Sequence, residues 1–283
     1  MGNSDYTTLR TASGRARGAR DLPVPLLEEL LRRPEGLLWR HIDRPVKIDH
    51  GSLIVEAELP LAEGNLRVAY KRYRARNWWK AFVDRFRRSR ARRGWNLGHA
   101  LIGRRIATAR PVAMLEPRGG CRRGQSYLAT EWIENAENLH LWGWRLADCE
   151  NRRRLRLAAL CAESLGRLIG RMHAAGISNR DLKAANLLVA GRYDRLATFL
   201  IDTDGMKIRR RLSASRRAAD LARLAVGLQA HAWVSRSVCW RFVRAYVAEF
   251  PRDAVAAKPL WRDVVRHGHR IIRRKHRRGE RVL

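Results

Sequence analysis

The stretch from His173 to Gly205 constrains this chain more than any other. Over residues 152–175 the apolar positions Leu157, Cys161, Leu165, Leu168 and Met172 recur every three or four residues, the period of a helix, and Gly176 follows as its stop. The chain then runs Asn179-Arg180-Asp181-Leu182-Lys183-Ala184-Ala185-Asn186. Two short apolar runs come next, 187–189 and 198–201, joined by a Gly191-Arg192-Tyr193-Asp194 turn, and the second run ends on Asp202. Any fold of this segment must bring polar side chains to the ends of short buried strands. Asp181 and Asn186 lie five residues apart, and Asp202 lies sixteen further on. The set supplies one carboxylate that can orient and deprotonate a hydroxyl, and two oxygen ligands that can hold Mg²⁺ against nucleotide phosphates. The spacing therefore points to phosphoryl transfer, with Asp181 as base and Asn186 and Asp202 as metal ligands.

The rest of the 283 residues arranges itself around that segment. Residues 1–22 are polar, rich in Gly, Ser and Arg, and without period, so they read as a disordered basic tail ending near Pro23. Residues 46–74 read as a hairpin turning at Glu63-Gly64-Asn65. Residues 77–99, with Trp78, Phe82 and Phe86 spaced by four, read as a helix with a basic opposite face. Strands are expected at 111–116 and 127–132, and further helices at 218–230, 236–250 and 262–274. The expected architecture is α+β: an antiparallel-sheet lobe over residues 23–134, a helical lobe over 135–283, and the chemistry between them.

Charge narrows the partners. Lys and Arg total 59 against 27 Asp and Glu, a net +32, with only seven lysines among the basic residues. Such a surface seeks anions: nucleic acid, an anionic membrane surface, nucleotide phosphates or an acidic glycolipid. Charge alone does not choose among them. Cys121, Cys149, Cys161 and Cys239 show neither a C-x-x-C pair nor zinc-ligand spacing, so reduced thiols are expected, without a disulfide or zinc site. No apolar run approaches a spanning length, and Tyr6 occupies the position where a myristoylation motif wants Ser or Thr. The expected location is cytoplasmic, free or attached to a membrane face.

The run Arg180-Asp181-Leu182-x-x-x-Asn186, followed by a strand ending on Asp202, resembles the catalytic-loop and metal-binding signature of the protein-kinase-like superfamily. Three further stretches resemble the lipopolysaccharide core kinases, the Kdo and heptose kinase group: Tyr70-Lys71-Arg72-Tyr73, Arg110-Pro111-Val112-Ala113 and Ile201-Asp202-Thr203-Asp204. The resemblance covers about residues 45–230. It implies a two-lobed kinase-like fold and an ATP- and Mg²⁺-dependent phosphotransferase. The acceptor it implies is a sugar hydroxyl of a lipopolysaccharide core or related glycolipid. It further implies that Lys71 reaches the α- and β-phosphates, that His50-Gly51-Ser52 form the turn over them, and that Glu131 to Glu134, with Ile133, form the hinge beside the adenine. Two positions depart from the pattern. Asn179 replaces the first histidine of the catalytic loop, where the side chain braces the loop. The helical glutamate that pairs with the strand lysine is missing: no acidic residue lies between Asp84 and Glu116, and Gly94 stands near its place. Asp84, Asp202 or ATP itself is left to balance Lys71.

Other readings stay open at this level. Asp220 either anchors the catalytic loop backbone or caps its own helix. Asp204 is a surface carboxylate or touches the metal, while His173 and Gly176 fix the helix end. Trp78, Trp79 and Trp95, interleaved with arginines, fit core packing or stacking on RNA. The basic runs 85–93 and 270–281 are solvated faces or contacts to lipid headgroups. A kinase of proteins or small molecules, and a catalytically silent pseudokinase scaffold, remain alternatives.

Overall fold

The computed structural model describes residues 6–43, 45–49, 51–62, 64–74, 88–118, 125–192, 195–231, 233–251 and 254–279. The chain divides into two compact units, Met1–Ala100 with Ala109–Trp132, and Leu101–Thr108 with Ile133–Leu283.

The first unit is built on a seven-stranded antiparallel sheet. Its strands are β1 (Tyr6–Thr11), β2 (Gly14–Ala19), β3 (Pro45–Asp49), β4 (Ser52–Leu61), β5 (Gly64–Tyr73), β6 (Pro111–Pro117) and β7 (Ser126–Glu131), in the order β1-β2-β6-β7-β5-β4-β3. The β4–β5 hairpin turns where the sequence expects it, with Gly64 at φ +116°. Side chains alternate across the sheet, as a period of two requires. Val68, Tyr70, Leu115 and Tyr127 face a core closed by leucines of α1 (Val24–Arg32) and α2 (Gly36–Arg40). Tyr73, Met114 and Leu128 face the opposite side, where α3 (Arg90–Ile102) contributes Ala91 and Trp95. Trp95 is therefore a core residue, 1% exposed. Trp78, Trp79, Phe82, Asp84 and Phe86 lie outside the described residues, as do His50 and the part of the first basic run before Arg88.

The expected tail is a correction. Residues 6–19 form β1 and β2, and β2 is in register with β6 from Gly14↔Pro117 to Gly18↔Ala113. Gly14, Ala16 and Gly18 alternate with Arg15 and Arg17, so the segment carries no hydrophobic signal, yet small residues suit a strand pressed under a helix. Backbone pairing and the edge-on packing of Tyr6 against Trp95, at 5.9 Å, hold it.

The second unit centres on α5 (Asn151–Ala174), flanked by α4 (Leu139–Ala147), α6 (Ala214–Leu228), α7 (Arg236–Val247) and α8 (Ala257–Arg277). α5 packs on α7, and α6 on α8. The 3.6-residue period seen in the sequence buries Cys161, Leu165, Leu168 and Met172. A hairpin of β10 (Leu187–Arg192) and β11 (Arg195–Leu200) joins β8 (Ala136–Asn138), and a separate ribbon pairs β9 (Ile177–Asn179) with β12 (Met206–Ile208). Residues 101–108 belong here and not with the sheet lobe, because Leu200 N–H donates to Ala107 O at 3.0 Å and Thr108 Oγ1 donates to Leu200 O at 2.7 Å.

Candidate active site

The candidate catalytic segment starts where α5 ends. Gly176 takes φ +74° and the chain enters β9, whose three residues are all buried. Asn179 is 0% exposed and braces the loop twice: its N–H donates to Asp220 Oδ2 at 2.8 Å, and its Oδ1 accepts the N–H of Asp181 at 2.9 Å. The residue that replaces the usual histidine thus does the bracing itself. Asp220 sits within α6, fully buried, and also accepts from Arg223 Nη1 at 3.0 Å, with His173 Nε2 at 3.6 Å. Ser213 caps α6, so the capping reading of Asp220 is excluded and the anchoring one holds. His173 completes the cluster by pairing Nδ1 with Tyr246 OH at 2.8 Å. Burial pushes its imidazole below the ordinary value, against the opposing pull of Asp220.

Asp181 and Asn186 meet directly. A single turn at Ala184–Asn186 folds the amide back, and Asn186 Nδ2 donates to Asp181 O at 3.0 Å and Oδ2 at 2.8 Å. Lys183 Nζ lies 3.0 Å from the same Oδ2. The Asp181 side chain is 47% exposed, so this carboxylate is both held and open to a substrate. Donation through Nδ2 turns Asn186 Oδ1 to the far side of its amide.

Asp202 is carried to the same loop by two backbone links. Ile201 N–H donates to Asn186 O at 3.0 Å, and on the other side Arg180 N–H donates to Gly205 O at 3.0 Å, where β9 and β12 pair Asn179 with Met206. Between them Asp202 adopts φ +59°, ψ 82°, uncommon for a residue with a side chain, and its Oδ1 accepts the N–H of Asp204 at 3.4 Å. Gly205 is required by proximity: a Cβ there would stand 2.8 Å from Asn179 Oδ1 and 2.9 Å from Asp181 N. The three residues singled out from spacing therefore share one knot of backbone and side-chain bonds.

That donor set fits magnesium. The Asn186 amide oxygen and the Asp202 carboxylate are hard oxygen donors, and Mg²⁺ is bound through one or two carboxylates, phosphates and retained water instead of an all-protein cage. Among the described residues no cluster of three His, Cys, Asp or Glu forms a metal cage. Cys149, Cys161 and Cys239 are free thiols; Cys121 lies outside the described residues.

The residues expected at the nucleotide sort as follows. Lys71, in β5, is 8% exposed, with Nζ 4.7 Å from the Tyr73 ring centroid. Ser52 is buried opposite Tyr73 in the β4–β5 register, and the carbonyl of Gly51 accepts from Arg74 N–H at 3.1 Å. Lys71, Gly51 and Ser52 thus gather in the first unit. Glu131 ends β7, its carboxylate accepting from Arg110 Nε at 2.9 Å, and half-buried Ile133 begins the second unit's main segment. Sequence reasoning did not single out Lys183 as a site residue. Lys183 stands two residues from Asp181, which it did name, and that offset was the only available signal.

An apolar cavity of about 590 Å³ in the second unit, walled by Leu165, Leu224, Val238, Phe242, Trp261 and Val265 among others, includes none of these residues. No described helix is long and apolar enough to cross a membrane.

Comparison with known proteins bears on the fold and the family. A structure described as WaaP in complex with acyl carrier protein superposes with a TM-score of 0.59 at 22% identity, covering 90% of this chain and 97% of that one. A BubR1 kinase domain gives a TM-score of 0.43 at 12% identity over 71% of this chain and 49% of that one. No curated protein matches the sequence. The family described as lipopolysaccharide kinase (Kdo/WaaP) matches residues 57–246, which span the strand lysine, the catalytic loop and Asp220. The chain belongs to the lipopolysaccharide kinase (Kdo/WaaP) family, a kinase family.

Proposed function

We propose that this kinase transfers the γ-phosphate of ATP to a sugar hydroxyl of a lipopolysaccharide core or related glycolipid at the cytoplasmic face of a membrane. The observation that carries the reading is the held but accessible carboxylate of Asp181, with Asn186 and Lys183 both on Oδ2. Oδ1 is left to accept the proton of the attacking hydroxyl as its oxygen bonds to phosphorus and the bond to the ADP oxygen breaks. A positioned base of this kind contributes roughly 10²- to 10⁴-fold. The Lys183 ammonium keeps positive charge beside the reacting oxygens. Asn186 and Asp202 would hold Mg²⁺, which when bound neutralises charge on the phosphates. In the first unit Lys71 would take the α- and β-phosphates, and Gly51 and Ser52 the turn beside them; Glu131 and Ile133 would flank the adenine.

The membrane location is supported by α8. With its C-terminal cap it carries nine Lys and Arg residues from Lys258 to Arg278 against one acidic residue, Asp263, and Trp261 and Val265 beside them are 40% exposed. Each basic side chain near an anionic surface contributes about 1 kcal/mol, and a tryptophan suits the headgroup level. An acyl carrier protein is a candidate partner by likeness to the WaaP complex.

The test is phosphate transfer from γ-labelled ATP to glycolipids, free sugars and basic proteins by the purified protein, with Asp181→Ala alongside. Label on glycolipid that disappears in the variant is expected. Label confined to protein or to a small molecule would refute the acceptor class. Loss of one phosphate from envelope glycolipids in cells lacking the gene would identify the product.

A further inference from the structure

The chain that leaves the catalytic segment is a strip of cations. From Gly205 to Ala219 it carries Lys207, Arg209, Arg210, Arg211, Arg216 and Arg217 and no acidic residue. Arg217 is used within the fold, where Nη1 donates to Leu212 O at 2.9 Å and the guanidinium lies over the Phe250 ring. Lys207, Arg209, Arg210 and Arg211 are exposed, and among the described residues none of their side chains makes an ion pair or a hydrogen bond. Elsewhere in the same unit exposed arginines find carboxylates: Arg171 meets Glu249 and Arg241 meets Glu163.

The backbone beneath the four is nonetheless held. β12 pairs Lys207 with Ser178 and Ile208 with Ile177, and Arg209 N–H donates to Gly176 O at 2.9 Å. Leu212, 8% exposed, buries the far end of the strip. The near end is Gly205, which packs against Asp181, and four residues at about 3.3 Å each put Arg209 no more than about 13 Å further on. A short run of sugar rings covers that span. Like charges side by side repel until an anion arrives, and a support that is already fixed loses little freedom when it does.

We propose that Arg209, Arg210 and Arg211, with Lys207, read acidic groups on the acceptor. The sugar whose hydroxyl meets Asp181 carries a phosphate or carboxylate, or is joined to a sugar that does, and these side chains bind it. The inference deepens the acceptor reading above and rests on it. Guanidinium suits the task because its planar fork donates two hydrogen bonds to phosphate or carboxylate oxygens. The competing role is attachment to anionic lipid headgroups; the direct bonding of the strip to the segment that carries Asp181 favours the acceptor.

Initial rates with γ-labelled ATP separate the two roles. The acceptors are a water-soluble, deacylated lipopolysaccharide core oligosaccharide, and the same oligosaccharide with its phosphates removed and its carboxyls reduced to alcohols. The variants, in the full chain, are Arg209→Gln/Arg210→Gln/Arg211→Gln and Arg209→Lys/Arg210→Lys/Arg211→Lys. Arg167→Gln/Arg236→Gln/Arg244→Gln removes the same charge from exposed positions of α5 and α7 as a control. The parent is expected to show a KM for the acidic oligosaccharide about tenfold or more below that for the neutral one, the size of one or two charge-assisted hydrogen bonds. The triple Gln variant should lose that preference through acceptor KM, with kcat, KM for ATP and melting temperature unchanged. The triple Lys variant should recover part of it, and the control should behave as the parent does. A triple Gln variant that keeps the preference, or that loses equally on both oligosaccharides, overturns the proposal while leaving the kinase reading intact. A loss seen only with glycolipid in phosphatidylglycerol vesicles, and absent in phosphatidylcholine ones, assigns the strip to the membrane and also overturns it. A parent chain that labels no sugar acceptor overturns both.

Discussion

Asp181 and Lys71 are held in place by different chemistry. Asp181 sits on a loop pinned by neutralised polar groups: a buried carboxylate, Asp220, takes the Asn179 N–H, the Asn179 side chain takes the Asp181 N–H, and Asn186 closes the ring. Lys71 sits on a central strand, and its head group lies against an aromatic ring that also carries Arg90. The loop mixes carboxylates, amides and cations that satisfy one another. The strand site gathers two like charges on one ring. On the proposed reading Asp181 serves at one reacting atom, which needs fixed placement before substrate arrives, whereas Lys71 serves a flexible polyphosphate, for which positive charge matters more than exact placement.

This contrast breaks most visibly at Asp181. Asp181→Ala should lower turnover by roughly 10²- to 10⁴-fold while leaving Mg-ATP binding in place; steady-state kinetics beside calorimetry decides it. Asp220→Ala should be the next largest. It strips the acceptor from a buried N–H and from Arg223, and breaking such a pair costs about 3–5 kcal/mol, or roughly 10 °C in melting temperature. If Asp220→Ala melts like the parent, the loop is not anchored there. Gly205→Ala should fold and should lose about 100-fold in kcat, because its methyl must displace Asn179 or the Asp181 backbone, and an ångström of misplacement costs that much.

The pH response sharpens the same point. Burial lowers the His173 pKa from 6.5, so as pH falls through that value the unfolded chain binds the proton first and stability drops. The melting temperature should fall between about pH 7 and pH 5, and His173→Gln should flatten part of the fall; His231, lowered by burial and by His140, leaves a residual slope. The smallest effect belongs to Ser213→Ala, which removes the cap of the helix carrying Asp220 and should cost about 1 kcal/mol without changing KM for ATP.

Elements whose signal is local are legible in the sequence. The β4–β5 hairpin, β6, β7 and α5 fall within a few residues of their expected bounds, because alternation and the helical period are written in neighbouring residues. Elements that exist only through distant pairing are not legible there. β1 and β2 are made largely of Gly, Ala, Thr and Arg, and β2 is held by β6, about a hundred residues away. The three-residue strands β9 and β12 are too short for any period, yet their pairing is what ties Asp202 to the catalytic loop. The two roles open to Asp220 are separated by Ser213, whose side chain caps the helix instead.

By itself, the order of residues determined which side chains to expect together: Asp181, Asn186 and Asp202 stand out because phosphoryl transfer demands those groups at strand and loop ends, and the fold does bring them to one loop. Only the tertiary structure decided what holds them and what surrounds Lys71. Hydrogen bonds and ring contacts depend on where separate segments meet in space, and Asn179 with Asp220, Gly205 with Asp181, and Arg90 with Tyr73 are neighbours through folding alone.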